Sequence, residues 1–410
     1  MGPRDTAESQ ARLLFRARTV GSMAMANGNG SAASNIHSLF SAAAWCGRAI
    51  KCQISPMKAH SSKPEKFVSA QDLRRALLAW YDAHARELPW RKDKHPYRVW
   101  VSEIMLQQTR VAAVIEHYHE FLRRFPTVQK LASARESAVL AAWSGLGYYR
   151  RARMLHAAAK VIARECRGEF PKTSAEWRNL PGIGRYTAAA IASISLSEAV
   201  AVVDGNVERV LQRVHGRRFS GEEFWERAGK LLDAQRPGDF NQAMMELGAT
   251  VCTPQAPSCL TCPVMQLCST RGEQQFAEPP TRQAKRDIDV ALHHRNGSVF
   301  LVQRPVDARL MAGMWELPQI DKQASANPKS PPQSANAPSP IFSVRHSITV
   351  TDYRVRVWDG STQEGDSGKW VSCGQLSRMP LTGLTRKILR KAGVWIPTSR
   401  KGSAAWGIPN

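Results

Sequence analysis

The chain has 410 residues, which is enough for two domains of ordinary size with linkers and tails. Its formal net charge is +23, and its hydrophobic content of 43% is sufficient for real cores. So large a positive excess favours a polyanionic partner, either nucleic acid or an anionic membrane surface. The sequence has no run of about 18 apolar residues, which excludes a bilayer-spanning segment and leaves nucleic acid as the expected partner.

Residues 1–66 are rich in Ser, Ala, Gly, Asn and Arg and lack a periodic apolar pattern. This composition predicts a disordered leader. An organelle transit peptide, or a start codon placed too early with translation beginning near Met57, would also fit this Arg-rich, acid-poor stretch. We assign the leader no function and expect a cytoplasmic, nucleoid-associated protein if the organism is bacterial.

The pattern of residues 67–272 is mostly helical. Apolar residues recur at a spacing near 3.6, as in the group Leu73, Leu77, Trp80 and Tyr81. Glycine-containing breaks at 145–147 and 180–184 separate the helical segments, and alternation typical of strands is scarce. This part of the chain is therefore predicted to be a mainly α-helical domain.

A charged, Pro-containing linker at 273–287 precedes a second, smaller domain of mixed α+β type at 288–395, and 396–410 form a tail. In this domain apolar residues alternate on both sides of the hairpin signal Asn296-Gly297. The alternating residues are Ile288, Val290, Leu292, Val299 and Leu301.

Four of the eight cysteines lie within 17 residues, in the spacing C-x6-C-x2-C-x5-C. In a long chain without a secretory signal, such a group indicates a metal site in a reducing compartment. Four cysteines suit either a [4Fe–4S] cluster or a structural zinc ion. Zinc ribbons usually present two C-x2-C pairs and this chain has one, which favours the cluster.

The segment NLPGIGRYTAAAIASIS (179–195) predicts two helices joined by a Pro-Gly-Ile-Gly turn. Gly182 and Gly184 allow close backbone approach, and the amides at the start of the second helix, beside Arg185, can bind a phosphate. A hairpin that merely packs is the structural alternative. Asp204 follows nineteen residues beyond Arg185, where it can cap the next helix.

The stretch LPWRKDKHPYRVWVSEIMLQQTRV (88–111) places Glu103 among apolar residues of a predicted helix. A lone glutamate in such a helix is ordinarily solvent-facing. If Glu103 is buried instead, its pKa rises and it can hold a proton at neutral pH. Glu103 and an ionised Asp204 would then form a pair of carboxylates with separate roles.

Together, the 88–111 stretch, the hairpin with Asp204 and the cysteine spacing resemble the MutY-type adenine DNA glycosylases of the helix-hairpin-helix, endonuclease III-like superfamily. The resemblance covers roughly 69–393. It implies a mainly α helix-hairpin-helix glycosylase domain with a [4Fe–4S] loop, followed by a smaller α+β Nudix-like domain. It also implies a monomer that hydrolyses the N-glycosidic bond of adenine opposite 8-oxoguanine, or guanine, in duplex DNA.

The resemblance assigns roles to individual residues. Glu103 would protonate adenine at N7, and Asp204 would stabilise the sugar cation, with Tyr186 near the sugar and Asn206 supporting the carboxylate. Tyr186 stands where lyase members carry a lysine, so we expect base removal without efficient strand cutting. Tyr148, in GLGYYRRAR (145–153), would wedge into the duplex unless it is a core tyrosine. The other implied residues are Trp90, Arg91 and Gln242 for the adenine pocket, Gln107, Gln108, Gly182, Gly184 and Arg185 for DNA binding, and Cys252, Cys259, Cys262 and Cys268 for the cluster.

The segment RPVDARLMAGMWELP (304–318) resembles the Nudix-like domain that recognises 8-oxoguanine in this family. A Ser/Pro/Ala/Asn insertion (323–340) stands where the Glu-rich Nudix box would be, so we do not expect pyrophosphate hydrolysis. The family's Phe-Ser-His corresponds here to Val344-Arg345-His346-Ser347, or in a shifted register to Thr349 without the histidine. The predicted lesion-recognition residues are His346 and Ser347.

Two alternatives remain at this point. The first is an endonuclease III-like pyrimidine glycosylase with lyase activity, which Tyr186 and the extra domain disfavour. The second is a non-catalytic DNA-binding protein that retains the hairpin and the cysteines, which the intact Glu103 and Asp204 disfavour.

Overall fold

The computed structural model describes residues 68–272, 284–320, 339–348, 351–360 and 368–395. The predicted leader and tail, and most of the predicted linker and insertion, lie outside these ranges, as does Thr349. No helix among the described residues combines the length and the apolar character needed to cross a membrane.

Residues 68–272 are mainly α-helical, as the spacing of their apolar residues predicts. The first helix begins after Ser69, whose side chain accepts from the backbone N–H of Asp72, and it buries Leu73, Leu77 and Tyr81 as the spacing predicts. The helices are α1 (Ala70–His84), α2 (Pro96–Leu106), α3 (Val111–Arg124), α4 (Val128–Ser133), α5 (Glu136–Trp143), α6 (Arg150–Arg164), α7 (Ser174–Trp177), α8 (Arg185–Leu196), α9 (Gly205–His215), α10 (Glu222–Leu231) and α11 (Pro237–Thr250).

Two hydrophobic clusters hold these helices together. The first surrounds the fully buried Trp100, Trp143 and Trp177, and the second surrounds Leu77 and Leu211. Helix α2 packs against α8, and α11 packs against both α8 and α9. The resulting arrangement places the middle of α2 opposite the first residues of α8 and α9.

The predicted helical hairpin is formed by α7 and α8, joined by the turn that contains Gly182 and Gly184. Gly182 has φ +75°, and a Cβ there would lie only 2.3 Å from the Cβ of Met154, so the turn requires glycine on both counts. Gly184 is the N-cap of α8. With no side chain at Gly184, the backbone at the start of α8 stays open to close approach.

In the described part of the second domain, the chain forms two small sheets and one α-helix. In the first sheet, β1 (Ala284–Leu292) pairs in parallel with β6 (Thr351–Asp359), which pairs antiparallel with β5 (Phe342–Ile348). In the second, β3 (Ser298–Gln303) pairs with β2 (His294–Arg295), β4 (Trp315–Glu316) and β7 (Lys369–Ser372). Helix α12 (Gly383–Lys391) covers the core of this domain, which includes Val355, Val299 and Ile388.

Sequence patterns and structure agree closely in this domain. Asn296 and Gly297, with φ +48° and +66°, form the predicted turn between β2 and β3. Strand β1 begins at Ala284, four residues before the alternation that the sequence shows, because charged residues at its start remain exposed while they pair with β6. The mainly α fold followed by a smaller α+β domain is confirmed.

Candidate active site

A cavity of about 720 Å³ opens between α2, the hairpin, the start of α9 and helix α11. This volume lies within the usual range for small-molecule sites. The structure brings twelve of the predicted residues to its wall: Trp90, Arg91, Glu103, Gln107, Gln108, Gly182, Gly184, Arg185, Tyr186, Asp204, Asn206 and Gln242.

Glu103 lies on α2 and is 6% exposed, so the buried interpretation of this residue is the correct one. The hydroxyl of Tyr186 donates to its Oε2 at 2.9 Å. Burial, with a smaller contribution from the nearby Asp204, raises the pKa of Glu103 to about 7, although the Tyr186 hydrogen bond and Arg91 partly oppose the shift. Near neutral pH this carboxyl group is therefore poised between its protonated and ionised forms.

Asp204 is the N-cap of α9 and also lines the cavity, so the structural and functional interpretations coexist. Its Oδ1 accepts from the backbone N–H groups of Asn206, at 2.9 Å, and Val207, at 2.8 Å. The amide of Asn206 donates to Oδ2 at 2.9 Å. Three donors at the first turn of α9 hold this carboxylate in a fixed position on the cavity wall.

Arg209 connects this carboxylate to the cysteine loop. It donates to the Oδ1 of Asn206 at 2.9 Å and to the carbonyl oxygen of Cys252 at 2.8 Å. Gly248 of α11 also accepts from Arg209, at 2.6 Å. The residue that supports Asp204 is thereby tied to the loop that begins at Cys252.

Glu246 is a site residue that the sequence analysis missed. Its carboxylate accepts from Arg91 at 2.8 Å and from Arg86 at 2.6 and 2.8 Å, and its side chain is 1% exposed. Although burial opposes it, the hydrogen bonds from both arginines lower the pKa of Glu246. The signal in the sequence was its position one helical turn after Gln242, on the face of α11 that lines the cavity.

The aromatic and amide groups of the predicted adenine pocket are held firmly. Trp90 is 6% exposed and contacts Tyr118 edge to face, with ring centroids 5.5 Å apart. Gln242 is 8% exposed on α11. Arg91 lies over the ring of Tyr81, 5.4 Å from its centroid. A flat, polar molecule entering the cavity would meet side chains with little freedom to move.

Gln108 and Tyr148 lie on two loops, which we call the rim loops; Gln108 lines this cavity and Tyr148 lines an adjacent one. Both are exposed, and both adopt positive φ, +54° and +46°, which is uncommon for residues other than glycine. Tyr148 is 44% exposed, so it is not a core tyrosine. Gln107, one residue before Gln108, donates to Thr187 at 3.1 Å.

Arg151 joins these two loops and was also missed. Its guanidinium donates to the carbonyl oxygens of Ile104 at 2.7 Å and Leu146 at 3.2 Å, and to the hydroxyl of Thr109 at 3.1 Å. It also bonds the carbonyls of Met105, Gln107 and Gly147, and it lies over the Tyr148 ring, 5.4 Å from the centroid. Burial lowers its pKa to about 10. Most of its partners are backbone carbonyls, which leave no pattern in a sequence.

The sequence pattern places Arg185 beside a phosphate-binding turn, but in the structure its guanidinium already has partners within the protein. It forms an ion pair with Glu222 at 2.5 Å, and it lies over the Trp225 ring, 4.0 Å from the centroid. The Glu222 side chain is 64% exposed, so a competing anion can reach this pair.

The four predicted cysteine ligands line one small cavity and form no disulfides. Within the described ranges, no group of three or more His, Cys, Asp or Glu residues meets the geometry of a bound metal ion. Arg213 is 3% exposed beside them, with Nη1 at 3.3 Å from the Cys252 sulfur and a buried Nε that has no partner. A buried cation with an unused donor suits an anionic, thiolate-ligated group at this place.

His346 and Ser347 lie away from the first cavity and line a second one, of about 1040 Å³, together with Tyr148. Gln107, Gln108 and Gly182 line both cavities, which are therefore adjacent. His346 is half-buried, and burial together with Lys387 lowers its pKa. Ser347 is exposed and donates to Asp352.

Comparison with known proteins gives two family matches. Residues 101–232 match the HhH-GPD superfamily of base excision DNA repair proteins, and residues 290–391 match a NUDIX domain. A solved structure described as a thermostable thymine-DNA glycosylase is 26% identical, with a TM-score of 0.47, and the match covers 50% of this chain and 97% of that one.

Several curated proteins named adenine DNA glycosylase are similar to this chain. Adenine DNA glycosylase of Rattus norvegicus is 39% identical over 67% of this chain and 65% of its own length. Adenine DNA glycosylase of Buchnera aphidicola (Schizaphis graminum strain) is 35% identical over 60% of this chain and 74% of its own length. The chain thus spans about three fifths of the length of the mammalian relatives, such as the 58% covered of the human protein. It belongs to the adenine DNA glycosylase family.

Proposed function

We propose that this chain is a monofunctional DNA glycosylase that hydrolyses the N-glycosidic bond of adenine mispaired with 8-oxoguanine, or guanine, in duplex DNA. The observation that carries the proposal is the pairing of Glu103 and Asp204 on the wall of one cavity, with pKa-raising burial around the first and three hydrogen-bond donors around the second. Such a pair provides an acid and a stable anion in the same site.

Glu103 acts as the acid. Adenine leaves poorly as an anion, and a proton delivered to N7 makes it a neutral leaving group. A carboxyl group with a pKa of about 7 retains much of its proton at neutral pH and gives it up readily. Tyr186 orients this carboxyl group by its hydrogen bond at 2.9 Å.

Asp204 acts as the fixed anion. As the bond between sugar and base breaks, positive charge develops on the sugar, and a preorganised carboxylate stabilises it without having to move. Asn206 and the first amides of α9 hold this carboxylate in place. Water then adds to the sugar to complete the hydrolysis.

Arg91, Trp90 and Gln242 receive the extruded adenine. Glu246 holds the guanidinium of Arg91, while the indole of Trp90 offers a rigid apolar surface. Among the described residues, no lysine lines this cavity, so it offers no amine for a Schiff base. This supports base removal by water and disfavours the lyase alternative.

The hairpin and the two rim loops bind the duplex. The open backbone at Gly184 allows a phosphate to approach the start of α8. Tyr148 and Gln108, exposed on opposite loops, fill the space left in the base stack and offset the cost of extruding a nucleotide. The net charge of +23 supplies the general affinity, which falls as salt rises.

A [4Fe–4S] cluster is held by Cys252, Cys259, Cys262 and Cys268, with Arg213 as the cationic neighbour. When bound, it supplies structural rigidity to the loop and no redox step. Because Arg209 joins the Cys252 carbonyl to Asn206, a rigid loop also steadies the support of Asp204.

The Nudix-like domain reads the base opposite the adenine. His346 and Ser347 line the cavity adjacent to the active site, together with Tyr148. This location suits contacts with 8-oxoguanine in the other strand.

We expect the protein to act as a monomer. If the organism is bacterial, we expect it to be associated with the nucleoid.

The test is single-turnover release of adenine from a duplex that contains adenine opposite 8-oxoguanine. Wild type should release the free base, and Glu103→Gln should reduce the rate by about 10² to 10⁴. Glu120→Gln is the matched control, because Glu120 is a surface carboxylate paired with Arg123 and Arg124 and should leave the rate unchanged.

The same experiment separates the alternatives. Tight binding of the duplex without any base release would support a non-catalytic DNA-binding protein. A substantial covalent adduct after borohydride treatment would support a lyase of the endonuclease III type.

A further inference from the structure

The loop of residues 144–149, which joins α5 to α6, carries Tyr148. Its ends are buried, with Ser144 2% exposed and Tyr149 4% exposed, while Tyr148 between them is open to solvent. Gly145, Gly147 and Tyr148 all have positive φ, +112°, +70° and +46°. A non-glycine residue in this conformation persists only if its surroundings hold it there.

Both ends of this loop are bonded to one carbonyl oxygen of the second domain. Ser144 Oγ donates to the oxygen of Leu381 at 2.7 Å, and the Tyr149 hydroxyl donates to the same oxygen at 3.1 Å. Leu381 is fixed from its own side, because it forms a parallel bridge with Trp315 and the next residue, Thr382, donates to the Trp315 carbonyl at 3.0 Å. The carbonyl is therefore an anchor that moves with the second domain.

Further contacts make this junction rigid. Met314 of the second domain is fully buried within the hydrophobic cluster of the helical domain. Arg153 of α6 donates to the carbonyl of Ala312 and pairs with Glu136 of α5 at 2.8 Å. A displacement of the second domain would therefore be transmitted to the ends of α5 and α6, between which the loop lies.

The anchor also adjoins the strand that carries His346. Gly383 is two residues after Leu381, and a Cβ at Gly383 would lie 3.7 Å from the His346 ring. His346, Gly383 and Tyr148 line the same cavity. A continuous set of contacts thus runs from His346 through Gly383 and Leu381 to the two hydroxyl groups that hold the Tyr148 loop.

We propose that Ser144 and Tyr149 are positioning residues that couple the reading of the opposite base to the insertion of Tyr148. The inference rests on the proposed function. When the second domain contacts the base opposite the adenine, the Leu381 carbonyl sets the position of both loop ends, and Tyr148 enters the duplex. The preference for 8-oxoguanine over guanine is then expressed as a faster excision step, not only as tighter binding.

The test compares wild type, Ser144→Ala, Tyr149→Phe and the double variant on duplexes with adenine opposite 8-oxoguanine or guanine. Each single variant keeps one donor to the carbonyl, so we expect modest effects. The double variant should reduce the ratio of the two single-turnover rates by at least about fivefold, more than the product of the single effects. Amide hydrogen exchange at residues 145–148 should become about tenfold faster in the double variant.

Tyr97→Phe is the matched control, since it also removes a buried tyrosine-to-carbonyl hydrogen bond, at 2.7 Å to Phe125, but both partners of that bond belong to the helical domain. It should lower stability similarly and leave the rate ratio unchanged. A double variant with the wild-type ratio, or with unchanged exchange at 145–148, would overturn the inference. If wild type releases no adenine, the proposed function fails instead, and the ratio of the two duplex affinities replaces the rate ratio as the readout for coupling.

Discussion

The raised pKa of Glu103 has a consequence for stability that can be measured without any assay of function. A carboxyl group with a higher pKa in the folded than in the unfolded protein favours folding less as pH rises. For Glu103 the values are about 7 folded and 4.5 unfolded. Well below pH 4.5, Glu103 is protonated in both states and its ionisation does not affect the free energy of unfolding. As the pH rises from there, ionisation lowers the free energy of unfolding increasingly, until the effect levels off above about pH 7.

The shift of about 2.5 units corresponds to about 3 kcal/mol at alkaline pH, since each unit is worth about 1.4 kcal/mol. Most of this cost, about 2 to 3 kcal/mol, develops between pH 5 and pH 8. Glu103→Gln removes the ionisation and keeps an acceptor for Tyr186. The variant should therefore gain about 2 to 3 kcal/mol relative to wild type on going from pH 5 to pH 8.

The assay is urea unfolding of both proteins at several pH values between 5 and 8, followed by tryptophan fluorescence. Taking the difference between variant and wild type at each pH cancels the other titrating groups. Glu120→Gln is the control, because hydrogen bonds from Arg123 and Arg124 lower the pKa of Glu120 to about 2, and its stabilising effect is lost only at acid pH. A Glu103→Gln difference that does not vary with pH would refute the assignment of a raised pKa.

Three other substitutions test the contacts around the site. Tyr186→Phe removes a donor to ionised Glu103 and should move the alkaline limb of the excision rate upward by about one pH unit; an unmoved or lowered limb would contradict this. Arg151→Lys loses the planar set of donors to both rim loops and should lower the free energy of unfolding by about 1 to 3 kcal/mol. A decrease below about 0.5 kcal/mol in urea titrations would count against the role of Arg151 in joining the loops. Arg209→Gln removes the partner of Asn206 and should slow single-turnover excision about tenfold with unchanged duplex affinity. Weakened binding at an unchanged rate would show that Arg209 acts elsewhere.

The sequence was informative wherever a local pattern carries the structure. The helical spacing in α1, the Asn296-Gly297 turn and the hairpin glycines each depend on a few neighbouring residues, and each appears as expected. Asp204 could be placed as an N-cap because capping is also a local interaction. These features fixed the fold class and much of the cavity wall in advance.

Residues whose partners are remote in sequence could not be found in this way. Glu246 is 155 residues from Arg91, and only the folded chain brings the two together. Arg151 bonds mainly to backbone carbonyls, which every residue has and which therefore leave no sequence signal. The two hydroxyl groups on Leu381 are of the same kind, since their acceptor lies in another domain.

Glu103 shows why a departure from a local rule is itself informative. Its neighbours on α2, such as Ser102, Ile104 and Met105, are all buried, and a glutamate among them destabilises the folded protein at neutral pH. A cost of about 3 kcal/mol is a large part of the net stability of an ordinary domain. An alanine or a leucine could occupy the same position without this ionisation cost. The carboxyl group is therefore best explained by a catalytic role that requires a protonated acid in a buried cavity. The stability measurement and the excision assay on Glu103→Gln examine the two sides of this argument, because the variant should gain stability at pH 8 and lose activity there.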